Sequence, residues 1–250
     1  MFYSKRIKKF KEIKHCFFSR KNGFSKGIYK SLNCGKGSKD RKKNIQKNLE
    51  FVTKKMKVKS HNLILMNQTH SNKVIQIKRN NFKKKINADA MISKMKGISL
   101  GVLTADCVPI ILYDSKNKII GCIHAGWKGA LKDIIKNTIL KIKKLGSNNK
   151  IYACVGPCIG SKSYEVDNNF FKKFISRTKK NKVYFTHKNK YKKLFNLRRF
   201  VIDRLKRFRI VVDQVNYDTF VEKNYFFSYR RSCKLKQKDY GRCISTISMF

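Results

Sequence analysis

Two imidazoles and a thiol stand at the ends of three apolar, strand-like runs. His70 closes LILMNQTH, Cys107 follows GVLTAD, and His124 follows KIIGCI. Two nitrogens and one sulfur form a borderline-soft donor set, which zinc binds with a fourth position left open for water or substrate. The intervals are long and irregular, unlike the close pairs of a zinc finger, and a Cys or His beside apolar residues is commonly a packed core residue, so spacing alone leaves both readings open. Cys122 shares a strand face with His124 if KIIGCIH is regular, yet a fourth protein ligand would close the site, and it is expected to stay outside. The same residues allow a second chemistry: Cys107 as nucleophile and His124 as base of a hydrolase or amidase. The two exclude each other, because a metal-bound sulfur is not free to acylate.

The elements that must bring these residues together come from the least charged part of the chain. Ile98 to Trp127 carries two lysines against two aspartates in a protein of net charge +47. Within it ISLGVLTA, VPIILYD and KIIGCIHAG have the length and Val/Ile content of buried strands. HAGWKG then places Gly126 and Gly129 around the lone Trp127, directly before a helical stripe predicted from Lys128 to Leu145 with Gly146 as its cap. That arrangement suits an anionic or nucleotide-like ligand, or merely a turn with Trp127 filling core.

Further strands are expected in the glycine-punctuated HCFFSRKNGFSKGIYKSLNCG, in LILMNQTH and KVIQIK as a hairpin or tight corner, and in IYACVGP, IVVDQVNY, YFFSYRR and CISTISMF. On a regular strand Gln68 and His70 would face the same side. Helices are expected from about Arg41 to Met56, after an Asp167 cap through FFKKFISR, and across YKKLFNLRRFVIDRLKRF. The class is α/β; periodicity does not separate a doubly wound sheet from a two-sheet sandwich.

With 250 residues, two prolines and no Gly/Ser tract, the chain reads as one domain over 1–250. Its 61 Lys and Arg against 14 Asp and Glu would suit a polyanion, but the excess is spread through every polar segment, as a proteome-wide bias would spread it. A nucleic-acid binder without chemistry is therefore the reading of another class, to be recognised by affinity that falls steeply with salt. No apolar run approaches the roughly 18 residues of a membrane span, and the basic N-terminus lacks an apolar core of about 7 to 15 residues, so a cytoplasmic protein with mostly buried thiols is expected. Cys154 and Cys158 are the pair best placed to depart from that; His15, His61 and His187 read as surface or packing residues.

QTH at 68–70, ADAMIS at 88–93, LTADCVPIILYD at 103–114, HAGWKG at 124–129 and VGPCIGSKSYEV at 155–166 resemble the laccase-domain, or polyphenol-oxidase-like, family of zinc-dependent purine nucleoside phosphorylases. The similarity extends to HCFFSRKNGFSKGIYKSLNCG near the start and to FFSYRR and YGR near the end. It implies His70, Cys107 and His124 as zinc ligands, a four-layer αββα sandwich with mixed sheets, and phosphorolysis of adenosine, inosine and methylthioadenosine, with adenosine deamination as a second activity. Peptidoglycan-precursor editing has been attached to bacterial relatives, which fits the Cys/His alternative. Copper is associated with the family through its older oxidase name and is not favoured by this donor set.

Zinc would position an oxygen ligand, with Trp127, Lys128, Arg230 and Arg231 the candidates for holding nucleoside and phosphate. Cys107, Asp106 and Gln68 are the candidate catalytic residues; Asp106 is better suited to a structural part, since strand neighbours point to opposite faces, and Gln68 to touching substrate. Three positions depart from the family: Leu49 replaces an Arg after Asn48, Ser163 replaces a Cys before Y-E-V, and Asp218 with Thr219 stands for a Cys-Thr pair.

Overall fold

In the run Val108–Asp114 the side chains of Ile110 and Leu112 point to one face and those of Ile111 and Tyr113 to the other, and all four are fully buried. A strand without a wet face needs a layer on each side. The computed structural model describes residues 1–148 and 150–250 and supplies both layers. A six-stranded mixed sheet runs β12 (Val211–Gln214), β8 (Ile151–Val155), β6 (Val108–Asp114), β7 (Ile119–Ala125), β4 (Ala90–Ser93), β3 (Val74–Ile77). A four-stranded mixed sheet runs β1 (Ile13–Phe17), β13 (Cys243–Met249), β5 (Ile98–Thr104), β2 (Leu63–Leu65). A small antiparallel sheet, β10 (Phe185–His187), β11 (Lys192–Phe195), β9 (Glu165–Asp167), stands apart from both.

Three apolar clusters define four layers. Ile45, Leu49, Val52 and Met56 of α1 (Lys42–Met56) pack on Cys16 and Ile244 of the four-stranded sheet. The inward faces of the two large sheets meet through Leu100, Val102 and Ile247 on one side and Ile111, Tyr113 and Cys122 on the other. The outer face of the six-stranded sheet, with Ile110, Leu112 and Ile123, is covered by α3 (Ile134–Lys143) and α5 (Leu197–Lys206). The αββα order is thus carried by side-chain alternation, each fully buried aliphatic adding about 1.5–3 kcal/mol.

Four sequence expectations are corrected. The stripe from Lys128 to Leu145 is broken into α2 (Trp127–Leu131) and α3 at Asp133, whose backbone is left-handed (φ 65°) and whose carboxylate holds the Arg204 guanidinium at 2.8 Å. The strands of LILMNQTH and KVIQIK form no hairpin, because β2 and β3 lie in different sheets and the chain between them crosses the sandwich. The first turn expected of YKKLFNLRRFVIDRLKRF is strand β11, drawn into the small sheet by Phe195, which sits fully buried among Phe170, Phe174, Phe185 and Phe200; Asn196 then caps α5. YFFSYRR ends in helix rather than strand, as α6 (Tyr229–Lys234), with Ser228 accepting from the Arg231 N–H. Asp167 caps α4 (Asn168–Ile175) as expected, accepting from the Phe170 N–H at 2.7 Å. Among the described residues no helix is long and apolar enough to cross a membrane, and the eight cysteines are free thiols.

His15 on β1 is 2% exposed, and its Nε2 accepts the Ser4 N–H at 2.8 Å. Burial, against the nearby charge of Asp213, lowers its pKa to about 4. An imidazole whose folded pKa lies below its unfolded value of about 6.5 contributes stability that is complete above about pH 6.5 and is lost as pH falls towards 4. Urea melts at pH 7 and pH 4.5 should show a loss approaching about 3 kcal/mol from this residue, and His15→Gln should flatten that part of the fall. An unchanged slope in the variant would acquit His15.

Candidate metal centre

Residues delivered by three segments of the sandwich converge at one edge. His70 lies on the crossing between β2 and β3, Cys107 at the turn from β5 to β6, and His124 near the end of β7. Their ligand atoms all lie within 4.8 Å of one another, with Cys107 Sγ 3.7 Å from His70 Nε2 and the two imidazoles edge to face at 4.8 Å. Cys122 is fully buried in the layer between the sheets and is not part of the cluster; His61 and His187 are exposed elsewhere.

Neither His70 nor Cys107 is held by ordinary strand backbone. His70 has a left-handed conformation (φ 58°), so the same-face relation expected with Gln68 does not apply. One carboxylate imposes that turn. Asp89, just before β4, accepts from the N–H groups of Thr69 (3.2 Å), His70 (3.0 Å) and Ser71 (2.6 Å) and from the Ser71 hydroxyl (2.6 Å). It also accepts from His124 Nδ1 at 2.8 Å, which fixes the tautomer and leaves Nε2 as the ligand atom. Asp106 plays the corresponding part for Cys107. Its own backbone is left-handed (φ 83°), and its carboxylate accepts from the Thr219 hydroxyl (2.7 Å), the Ser228 hydroxyl (2.9 Å) and the Arg230 N–H (2.7 Å). Both oxygens are taken, as a structural part requires. Burial pushes the Asp106 carboxyl up against these hydrogen bonds.

The donor chemistry fits a borderline-soft divalent ion. Burial alone would raise the Cys107 thiol, but the charge and hydrogen bond of His124, with help from His70, bring it down to about 7. His124 is raised to about 9 despite its burial, by Cys107 and Asp89. Asp89 is held at about 2, its burial outweighed by the bonds from His124 and Ser71. Gly126 completes the cradle: a Cβ there would come 2.6 Å from His70 Cδ2 and 3.0 Å from Cys107 Sγ, so any side chain would fill the space the cluster uses.

Two cavities adjoin the cluster and share His70, Ala105 and Cys107 in their linings. The first, of about 430 Å³, has Trp127, Tyr164, Phe170 and Tyr229 on its walls with Arg230 and Lys192 at the edge. Trp127 packs on Phe170 with ring centroids 4.8 Å apart, and Arg230 lies 5.4 Å from the Tyr164 ring while donating to the Glu165 carbonyl at 2.7 Å. The second, of about 550 Å³, holds Gln68, His124, Tyr240 and Arg242.

The other sequence candidates have different surroundings. Gln68 spends its amide on β5, donating to the Leu103 carbonyl and accepting from the Leu103 N–H, both at 2.8 Å, so it ties the crossing to the sheet edge. Arg231 is turned from both cavities and clamps the carbonyls of Thr219, Phe220 and Phe226. Lys128 is exposed and reaches over the outside of Trp127, 5.6 Å from its ring. Asn48, beside the departure at Leu49, is a buried node bonding Phe24, Ser25 and Asn33, while Leu49 packs in the α1 core. The departures Ser163 and Asp218 touch: the Ser163 hydroxyl donates to Asp218 at 2.6 Å. Sequence reasoning missed Asp89, whose signal was an acid inside the otherwise apolar ADAMIS.

The family model described as "Multi-copper polyphenol oxidoreductase laccase" matches residues 14–250. Among curated proteins the chain is 35% identical over 195 residues to the purine nucleoside phosphorylase RC0672 of Rickettsia conorii, covering 76% of this chain and 80% of that one. It is 30% identical over 223 residues to a purine nucleoside phosphorylase of Haemophilus influenzae, covering 87% and 88%. Among solved structures it resembles Neisseria meningitidis protein NMB0706 (TM-score 0.85, 27% identity, 96% and 95% covered) and Bacillus licheniformis hypothetical protein YfiH (TM-score 0.89, 25% identity, 95% and 93% covered).

Proposed function

The chain belongs to the multi-copper polyphenol oxidoreductase laccase family, and from that premise we propose that it is a zinc-dependent purine nucleoside phosphorylase, acting on adenosine, inosine and methylthioadenosine. One observation carries the reading: a cavity with His70 and Cys107 of the His70–Cys107–His124 cluster in its lining is also lined by the aromatic rings of Trp127, Tyr164 and Phe170. A purine is a flat, electron-rich ring that stacks on such a wall, and the cluster then lies beside the sugar. Zinc bound by these three residues would supply a Lewis acid able to orient an oxygen ligand and offset its charge. Asp89 holds His124 and the His70 turn in place, Asp106 holds the Cys107 turn, and Arg230 with Lys192 adds positive charge at the cavity edge.

Phosphorolysis is favoured over deamination as the principal activity. Deamination needs a carboxylate free to shuttle a proton beside the metal, whereas Asp106, the acid next to Cys107, has its oxygens occupied by Thr219, Ser228 and Arg230. Incubation with adenosine, inosine or methylthioadenosine, with and without phosphate, separates the outcomes. Free base with a pentose 1-phosphate, formed only with phosphate, supports the reading; an unchanged nucleoside in every tube contradicts it. Trp127→Ala should raise the nucleoside KM by about tenfold, as stacking of about 1–3 kcal/mol per base requires, and leave zinc content at parent level. An unaltered KM would remove Trp127 from the binding wall.

A second reading has its own observation. Asp89, His124 and Cys107 form a chain in which the carboxylate orients the imidazole and the imidazole lowers the thiol, the relay of a Cys/His amidase acting on, for example, peptidoglycan precursors. The metal content of Cys107→Ala decides between them.

A further inference from the structure

The two cavities that share the His70–Ala105–Cys107 ridge differ in charge. The first, which the proposed function gives to the purine, is lined by Glu165, Asp167 and Asp106 as well as Lys192 and Arg230. The second is lined by Lys36, Lys85 and Arg242 with no carboxylate on its wall. Among the described residues none of these three cations takes part in an ion pair. Asp239 is the nearby acid that Arg242 influences, and it is already committed to the Tyr29 hydroxyl and the Lys39 N–H, both at 2.7 Å.

Arg242 is also positioned. Fully buried Asn33 accepts the Arg242 N–H at 2.9 Å and the Gly35 N–H at 3.0 Å, and donates to Ser38 and Asp40, locking the 33–40 loop that carries Lys36 and Gly37 against the start of β13. The guanidinium lies over the Tyr240 ring, 4.4 Å from its centroid, with one long contact of 3.4 Å to the Tyr240 carbonyl. Most of its five donors are left for a ligand. A cationic hollow with a preset guanidinium, a phenol and two flexible ammonium groups matches a tetrahedral oxyanion.

Resting on the proposed phosphorolysis, we infer that the second cavity is the phosphate subsite, with Arg242, Lys85 and Lys36 as its cations, in place of Lys128 and Arg231. Displacement at C1′ requires nucleophile and leaving group on opposite sides of the carbon. With the purine on the aromatic wall of the first cavity, C1′ lies at the ridge and phosphate approaches from the second. A phosphate oxygen forms the new bond to C1′; the C1′–N9 bond breaks and its electron pair leaves with the purine. The proton of the hydrogen phosphate passes through solvent to the purine nitrogen, leaving pentose 1-phosphate and neutral base.

The test uses the full chain loaded with zinc. Arg242→Gln and Lys85→Gln should each raise the KM for phosphate by about tenfold or more, the loss of one charge-assisted hydrogen bond, while the nucleoside KM stays within about twofold. Arg242→Lys should recover part of the loss. Lys192→Gln, in the first cavity, should do the reverse. Equilibrium dialysis with radiolabelled orthophosphate alone reads the same site without turnover: weakened binding in Arg242→Gln and Lys85→Gln, but not in Lys192→Gln, supports it. Phosphate binding unaffected by both second-cavity variants, or weakened equally by Lys192→Gln, overturns it. If no nucleoside is cleaved, the phosphorylase reading falls, and dialysis still reports whether the anion site exists.

Discussion

Cys107→Ala is expected to leave a folded protein that no longer retains stoichiometric zinc and has lost about a thousandfold or more of its activity, the several kcal/mol a Lewis acid contributes. The side chain sits at the ridge between two open cavities rather than in a core cluster, so its removal leaves little void and the melting temperature of the metal-free forms should agree closely. What is removed is the anionic ligand. Two imidazoles are left, and neither makes up the charge that a thiolate, drawn to about pKa 7 beside His124, brings to a divalent ion. Elemental analysis after dialysis against a weak chelator reads the result directly. Should the variant keep as much zinc as the parent while losing all turnover, Cys107 would be a nucleophile, and the Asp89–His124–Cys107 relay would carry amidase chemistry instead. A Cys107→Ser variant sharpens the contrast, because a serine hydroxyl is a poor zinc ligand but can still be acylated when a base activates it.

That His70, Cys107 and His124 lie together was legible through the resemblance; the residues alone, each at the end of an apolar run, fitted a packed core equally well, because nothing local says which distant segments meet at a sheet edge. The layer order was legible only through resemblance; Ile110 to Tyr113 are apolar on both faces, so periodicity announced burial but not which sheet or helix does the burying. The missed elements share a cause. Nothing in the stripe from Leu131 to Leu145 marks the break at Asp133, since its apolar residues lie on one face on either side of it, and the Arg204 partner that supports the break is about seventy residues away. β11 was hidden in the same way, as Lys192–Phe195 becomes strand through pairing with β9 and β10 and through the phenylalanine cluster around Phe195. The basic residues failed for a different reason. With 61 of them, a location in sequence says little, and only the fold separates Arg231, consumed by carbonyls, from Arg242, held over an open cavity.

Asp89 exerts the second large effect without touching the metal cluster's open side. Asp89→Ala strips an acceptor from the N–H groups of Thr69, His70 and Ser71, from the Ser71 hydroxyl and from His124 Nδ1. Two consequences follow from that single change. The left-handed turn at His70, which costs about 1–2 kcal/mol, is no longer imposed, and His124 is free to present either nitrogen. Zinc affinity, measured by competition with a chromogenic chelator, should fall by about 10- to 100-fold. The metal-free protein should also lose about 2–4 kcal/mol of stability, because buried donors are left unpaired. Asp89→Asn divides the two effects. Its carbonyl can still accept from His124 and the His70 N–H, but its amide opposes the Ser71 donors, so it should recover more of the zinc affinity than of the stability. An affinity within about twofold of the parent in Asp89→Ala would mean that the sandwich alone aims His70 and His124, with no need of the carboxylate behind them.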